Sequence, residues 1–271
     1  MLFLYTCFAD IFSLVSLILC FQSMVKTKRA IIVGATSGIG YEVTKLLHSE
    51  GWVLGIAGRR EESLKSIKEE LGVTDIYIKA IDIRKEEAVA ELYSLIGMLG
   101  GMDLYFHSSG IGFQNYDLRE DIEINTLETN GTGFVRMVGA AYRYFKNENN
   151  GKGHIAVISS IAGTKGLGVA PSYSATKRMQ NTYIDALEQL AYIHNTEIVF
   201  TDIRPGFVAT SLLNDGKNYP MLMNVGNVAR TIVDSLRKKK RVVVIDWKYS
   251  ILVFFWRLIP RFIWKRMKIK N

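Results

Sequence analysis

Ala30-Ile31-Ile32-Val33-Gly34-Ala35-Thr36-Ser37-Gly38-Ile39-Gly40 is the stretch that decides the architecture of the chain. Ala30 to Val33 is a short apolar run rich in β-branched residues, the pattern of a buried strand. Val43, Leu46 and Leu47 then recur at helical spacing until Gly51 stops the run. Between them Gly34, Gly38 and Gly40 form G-x-x-x-G-x-G. Glycines at a strand-to-helix junction let the backbone turn tightly and approach a pyrophosphate, whose charge meets the positive end of the helix. The spacing is not the G-x-G-x-x-G of the generic fingerprint, and a Gly-rich turn occurs in many α/β proteins. Its place at the first junction is what favours a nucleotide.

Downstream the same alternation continues. Apolar runs predict strands at 53–57, 76–81, 104–106, 154–158, 198–203 and 241–245, and helical spacing predicts helices at 62–71, 86–99, 126–144, 173–194 and 228–236. This order predicts an α/β fold, a Rossmann-like doubly wound parallel sheet of about seven strands with helices on both faces. One domain, 24–246, is expected, preceded by an apolar segment at 1–23 and followed by a basic, aromatic, amphipathic tail at 247–271.

Charged residues at 22% and hydrophobic ones at 48% are ordinary for a globular chain of 271 residues. The net charge of +8 is uneven: from Arg230 onward thirteen Lys and Arg face only Asp234 and Asp246, so the remainder is net acidic. The body has no basic patch interleaved with stacking aromatics, which argues against a nucleic-acid partner. Both cysteines, Cys7 and Cys20, lie in the first 23 residues, which fits a reducing, cytoplasmic compartment. His48, His107, His154 and His194 are scattered, so no metal site is expected. Segment 1–23 lacks the basic start of a secretory signal, and Asp10 interrupts its apolar run. Translation from Met24 is the favoured reading, and a weak membrane anchor is the rival.

Two further patterns carry chemistry. In Tyr173-Ser174-Ala175-Thr176-Lys177 the Tyr and Lys are four apart, hence on one face of a helix. An ammonium beside a phenol favours the phenolate, so the Tyr173 pKa is expected to fall from its usual value of about 10. Such a phenol exchanges a proton with a carbonyl or alcohol oxygen, and Ser160 is placed to give that oxygen a second hydrogen bond. The spacing alone is common on helices, where it ordinarily means a solvated Lys beside a half-buried Tyr. After the second strand come Arg59 and Arg60, with no acid at Ala57 or Gly58. An acid there would hold a ribose 2′-hydroxyl, whereas arginine suits a 2′-phosphate, which favours NADP(H) over NAD(H) with Arg59 as the clamp. A solvated Arg pair matched by Glu61 and Glu62 is the plainer alternative.

With the glycine loop, Ser160, Tyr173 and Lys177 together, the chain resembles a short-chain dehydrogenase/reductase over about 28–245. The resemblance implies a catalytic set of Asn130, Ser160, Tyr173 and Lys177, with Asn130 carrying a water-linked proton relay. It implies cofactor contacts from Gly34, Ser37, Gly38, Ile39 and Gly40, from Asp82 and Ile83 toward adenine, and from Ser109 and Gly110. Pro205, Gly206, Val208 and Thr210 match a P-G-x-V-x-T run that holds the carboxamide, and Tyr173 and Lys177 also face the cofactor. The family's N-N-A-G appears here as His107-Ser108-Ser109-Gly110, so an altered local network is expected, with His107 packed and hydrogen-bonded or, less favoured, a proton carrier.

The resemblance further implies a homodimer or homotetramer reducing a small-molecule carbonyl, or oxidising an alcohol. Alcohol oxidation with NAD is the second enzyme reading, and a non-catalytic nucleotide-binding scaffold is the alternative from another class. Segment 207–224 corresponds to the substrate lid, and its Leu and Met content points to a lipophilic substrate. In the tail, Arg257, Arg261, Lys265 and Lys268 are expected on one helical face, either at the inner face of an anionic membrane or in a dimer interface.

Overall fold

Strand β1 (Arg29–Val33) is buried at all but its first position, because it has a parallel neighbour on each edge and helices on each face. It belongs to a computed structural model that describes residues 27–213, 216 and 218–269, so both readings of segment 1–23 fall outside the described residues. With β1, β2 (Val53–Gly58), β3 (Ile76–Ala80), β4 (Leu104–His107), β5 (Lys152–Ile158), β6 (Glu197–Pro205) and β7 (Val242–Ile245) form one parallel sheet in the order 3-2-1-4-5-6-7. The order reverses between β1 and β4, where Val33 pairs with His107 on one side and Ala57 on the other. Ligands of such sheets bind outside the carboxyl ends of the strands at this switch point.

The connecting helices are α1 (Gly38–Ser49), α2 (Glu61–Leu71), α3 (Ala88–Leu99), α4 (Glu120–Leu127), α5 (Phe134–Asn147), α6 (Pro171–Ile193) and α7 (Val225–Arg237). Alternate side chains of a strand point to opposite faces, and β1 shows it: Ile31 joins Leu92, Phe134 and Phe145, while Ile32 joins Val43, Leu47 and Ile232. Burying each such side chain stabilises the fold by roughly 1.5–3 kcal/mol. The fold is the expected Rossmann-like one.

Two elements differ from expectation. The helix predicted over 126–144 begins earlier, at α4, whose first turn carries Glu120, Asp121 and Glu123 against the positive helix end. It then widens into a π turn over Glu128–Gly133 before continuing as α5. The predicted tail helix is broken. Helix α8 (Trp247–Leu258) ends where Ile259 turns extended before Pro260, and α9 (Arg261–Trp264) starts afresh. A proline forces the preceding residue out of helical geometry, so Arg257, Arg261, Lys265 and Lys268 do not share one helical face. The front of the tail is also built into the body, with Tyr249 and Val253 buried in a small cluster with Ile161.

Candidate active site

The glycine turn follows β1, and backbone contact explains its composition. Gly34 has φ +93°, and a Cβ there would lie 2.6 Å from the Ser109 nitrogen. A Cβ on Gly40 would meet the Gly34 carbonyl oxygen at 2.1 Å, so α1 approaches the strand only without a side chain. The first turn of α1 holds no acid, and the exposed Ser37 at its start spends no hydroxyl on capping. Gly38 lies against Thr210, 3.2 Å from its methyl group to an added Cβ. The glycine loop and the P-G-x-V-x-T run therefore converge, as do Gly34 and Ser109.

At the end of β2, Arg60 donates to the Thr36 hydroxyl at 3.0 Å and is tied to the glycine loop. Arg59 is exposed and makes no hydrogen bond or ion pair among the described residues. The acids that could have neutralised it, Glu61 and Glu62, bind Lys65 at 3.1 and 2.9 Å. Gly58 packs on Thr36 so closely that a Cβ would lie 2.9 Å from its methyl group, which leaves no room there for an acidic side chain. Asp82 is paired with Arg84 at 2.8 Å, and that guanidinium holds the carboxyl below the usual carboxylate range. Any contact of Asp82 with adenine has to be shared with Arg84. The Ile83 side chain is core, 3% exposed, and its carbonyl accepts from Arg136 at 2.9 Å, so any contact with a ligand is through its main chain.

The catalytic candidates come together. Helix α6 starts at Pro171, whose fixed φ and missing N–H suit a first helical turn, and it carries Tyr173 and Lys177 one turn apart. The Tyr173 ring lies against Gly112, where a Cβ would be 2.7 Å from it, and its phenol is close enough to the Ser160 hydroxyl for that group to favour the phenolate. Ser160 in turn accepts from the Ala162 N–H at 3.1 Å, which fixes the hydroxyl at the end of β5. Lys177, 5% exposed, donates to the Ile158 carbonyl at 3.0 Å and to Gln180 Oε1 at 3.1 Å. Gly110 is the near neighbour of both Lys177 and Asn130: a Cβ would lie 3.6 Å from Nζ and 3.2 Å from Oδ1. Asn130 sits in the π turn, and its side chain is engaged on both sides of Ile111, accepting from the N–H at 2.9 Å and donating to the carbonyl at 2.6 Å.

The electrostatics correct one expectation. Burial pushes the half-buried Tyr173 phenol up, opposed only by the Ser160 hydroxyl. The Lys177 ammonium is spent on two carbonyl oxygens and lies 5.7 Å from the phenol ring centre, so it does not make this tyrosine acidic in the resting protein. Burial instead brings Lys177 itself down to about 8, against the pull of Asp202. Asp202 went unnoticed in the sequence; it is fully buried and binds Ser159, Asn181 and Arg204, with Asn181 at 2.9 Å and Arg204 at 2.6 Å. A lone Asp within a strand carries no motif, and its distant partners come from tertiary packing: Ser159 from the end of β5 and Asn181 from α6.

His107 is a packed residue. Its Nδ1 meets the Tyr105 hydroxyl at 2.9 Å and its ring is edge-on to Phe134. Burial, then the Lys177 charge, drives it down to about 3, so it is a neutral imidazole at working pH. Near the lid, Gly206 backs onto the Tyr249 ring, with an added Cβ only 2.2 Å away. The Tyr249 hydroxyl accepts from the Phe207 N–H at 3.1 Å and shares its one proton between the carbonyls of Pro220 and Met221 at 3.0 and 3.2 Å. Val208 is buried and bridges to Met223, which closes the base of the lid.

Comparison with known proteins gives a consistent picture. A family model described as short chain dehydrogenase matches residues 28–218. The chain is 29% identical over 255 residues to dehydrogenase/reductase SDR family member 7B of Xenopus tropicalis, covering 85% of this chain and 81% of that one. It is 30% identical over 194 residues to an uncharacterised oxidoreductase of Staphylococcus aureus, covering 70% of this chain and 82% of that one. Among solved structures, a closed serine dehydrogenase complexed with NADP+ superposes with a TM-score of 0.71 at 25% identity, over 80% of this chain and 94% of the other. An actinorhodin polyketide ketoreductase with NADPH does so with 0.70 at 22% identity, over 81% and 95%, a likeness of fold.

Proposed function

The chain belongs to the short-chain dehydrogenase family of oxidoreductases, and on that premise we propose that it is an NADP(H)-dependent reductase of a lipophilic ketone or aldehyde. The observation that carries the reading is one convergence at the carboxyl edge of the sheet: the Tyr173 phenol beside the Ser160 hydroxyl, with Lys177 one turn along the same helix. The residues present fit a dinucleotide. Gly34, Gly38 and Gly40, the uncapped start of α1, Ser109 and Gly110 border its path, and Arg59, without an ion pair among the described residues, offers its guanidinium to a 2′-phosphate.

A bound nicotinamide supplies the hydride. Tyr173 gives its proton to the carbonyl oxygen as that oxygen gains charge, and Ser160 donates a second hydrogen bond to it. A phenol held protonated by burial is in the right state to act as the acid in reduction. Lys177 provides a positive charge behind the reacting oxygen, and at about 8 it keeps that charge near neutral pH. The Leu and Met side chains at 212, 221, 222 and 223 line the lid segment, which favours an apolar substrate.

We further propose that the enzyme is cytoplasmic, assembles as a homodimer or homotetramer, and rests its tail, 247–271, on an anionic membrane. Among the described residues no helix is long and apolar enough to cross a membrane. A surface contact is therefore the form this reading takes.

The test is NADPH oxidation against a panel of ketones and aldehydes. Tyr173→Phe is expected to lower kcat by about 10²–10⁴-fold while NADPH still quenches or enhances its own fluorescence on binding. Arg59→Ala is expected to weaken NADPH about tenfold and leave NADH unchanged. Turnover surviving in Tyr173→Phe removes the catalytic assignment. NADPH binding without turnover on any carbonyl points to the scaffold reading.

A further inference from the structure

Gln180 matches no motif, yet it is 1% exposed and joins two members of the catalytic set. Its Nε2 donates to the Asn130 main-chain carbonyl at 2.9 Å, and its Oε1 accepts from Lys177 Nζ at 3.1 Å. The orientation of the amide follows from its partners. An ammonium only donates and a carbonyl only accepts, so one end of the amide serves each. The Asn130 carbonyl lies within the π turn at Glu128–Gly133, where the helical bonding departs from the regular pattern.

An ammonium and a carbonyl facing each other across a small polar gap are ordinarily bridged by water. The family resemblance likewise implies a water-linked relay through Asn130. Here a side chain fills the gap. We infer that Gln180 is a positioning residue whose amide occupies the place of that water and fixes the Lys177 ammonium between Ile158, Asn130 and the Tyr173 ring. The inference rests on the oxidoreductase reading for its importance, but not for its geometry.

The amide differs from water in one chemical respect: it accepts the hydrogen bond but passes no proton onward near neutral pH. Two of the three ammonium donors are thereby assigned, to Ile158 and Gln180, and the third is left for the cofactor side. Gln180 stabilises the charged form of a buried lysine, which burial alone would neutralise. The other groups that act on the Lys177 charge are Asp202, which also favours the ammonium, and His107, which is neutral.

The test reads the titration of Lys177 in the full-length protein and needs no substrate. With lysine labelled at Cε by carbon-13, its resonance is identified by its loss in Lys177→Met. Wild type is expected to titrate near pH 8. Gln180→Leu fills the gap with hydrocarbon and is expected to titrate about one unit lower, since it deletes a hydrogen bond to the charged form. Gln180→Glu, similar in shape, is expected to move about one unit or more upward. Gln180→Ala makes room for a water and is expected to stay near wild type.

A folded Gln180→Leu that titrates as wild type overturns the inference, as does a Gln180→Ala that falls as far as Gln180→Leu. Should Gln180→Leu not fold, Gln180→Glu decides by moving upward or not. If no carbonyl substrate is found, the proposed activity fails and this measurement still stands. Where one is found, the alkaline limb of kcat follows the same three shifts, which a merely packed glutamine would leave in place.

Discussion

Two buried histidines make the acid side of the stability profile a property of single residues. His107 is held at about 3 and His154 at about 4, both chiefly by burial, against an ordinary value of about 6.5. The sign follows directly. Between the folded and unfolded values the unfolded chain binds a proton on each ring and the folded chain does not, so stability is complete above about 6.5 and falls as pH drops below it. Urea unfolding is therefore expected to show a lower midpoint at about pH 4.5 than at pH 7. His107→Asn, which puts a neutral amide where the related family has one, is expected to recover about 1–3 kcal/mol of that loss. An unchanged acid slope in the variant excludes His107 as a cause. At this scale some of the site was legible and some was not. Tyr173, Lys177 and Ser160 announce themselves because their spacing is set within a helix and at the end of the strand before it. Gln180 and Asp202 do not, because their meaning lies in a π turn and a neighbouring strand that no local pattern records.

At the scale of elements, alternating apolar runs were enough for the strands, since a parallel strand buried on both faces leaves the same trace wherever it sits. Joints between elements were not. Helical spacing over 126–144 does not betray one widened turn, and the aromatic content of α8 reads as surface although its Tyr249 is core. That tyrosine has a consequence for the lid. Its ring fills the space that Gly206 leaves open, and its hydroxyl joins Phe207 to Pro220 and Met221, the two ends of the lid segment. Tyr249→Phe keeps the ring and removes the tie. It is expected to cost about 1–2 kcal/mol in stability and to speed amide exchange in peptides covering 207–224, with exchange in β1, β4 and β5 unchanged. Uniform exchange across wild type and variant excludes α8 as the lid's anchor.

For the molecule as a whole, the tail sets apart one side of the body. Along α8, Tyr249 and Val253 face inward while Trp247, Ile251, Phe254, Phe255 and Leu258 are exposed at spacings of four, three, one and three, which is one helical stripe. Phe262 and Ile263 of α9 are exposed as well. Residues 247–271 hold seven Lys and Arg and no acid. A cleft of about 450 Å³ beside α8 is bordered by Lys165, Arg178, Arg204 and Arg257, and its one acid, Asp185, is engaged by Arg241 at 2.6 Å. The tail is also seated: Lys165 donates to the Ile259 carbonyl at 2.7 Å and the Trp264 indole to the Gly166 carbonyl at 2.9 Å, on the loop between Ser160 and Tyr173. An aromatic stripe beside an excess of cations matches an anionic interface, where each cation contributes about 1 kcal/mol at low salt. The full chain is accordingly expected to float with vesicles containing anionic lipid, to bind neutral vesicles weakly, and to detach as salt rises. Phe254→Ser with Phe255→Ser is expected to abolish flotation without changing NADPH binding, because neither ring touches the site. Flotation that survives both substitutions removes the tail as the contact. A protein that is dimeric in solution and becomes monomeric in the double variant makes the stripe a subunit interface, for which the excess of cations over acids is a poor match.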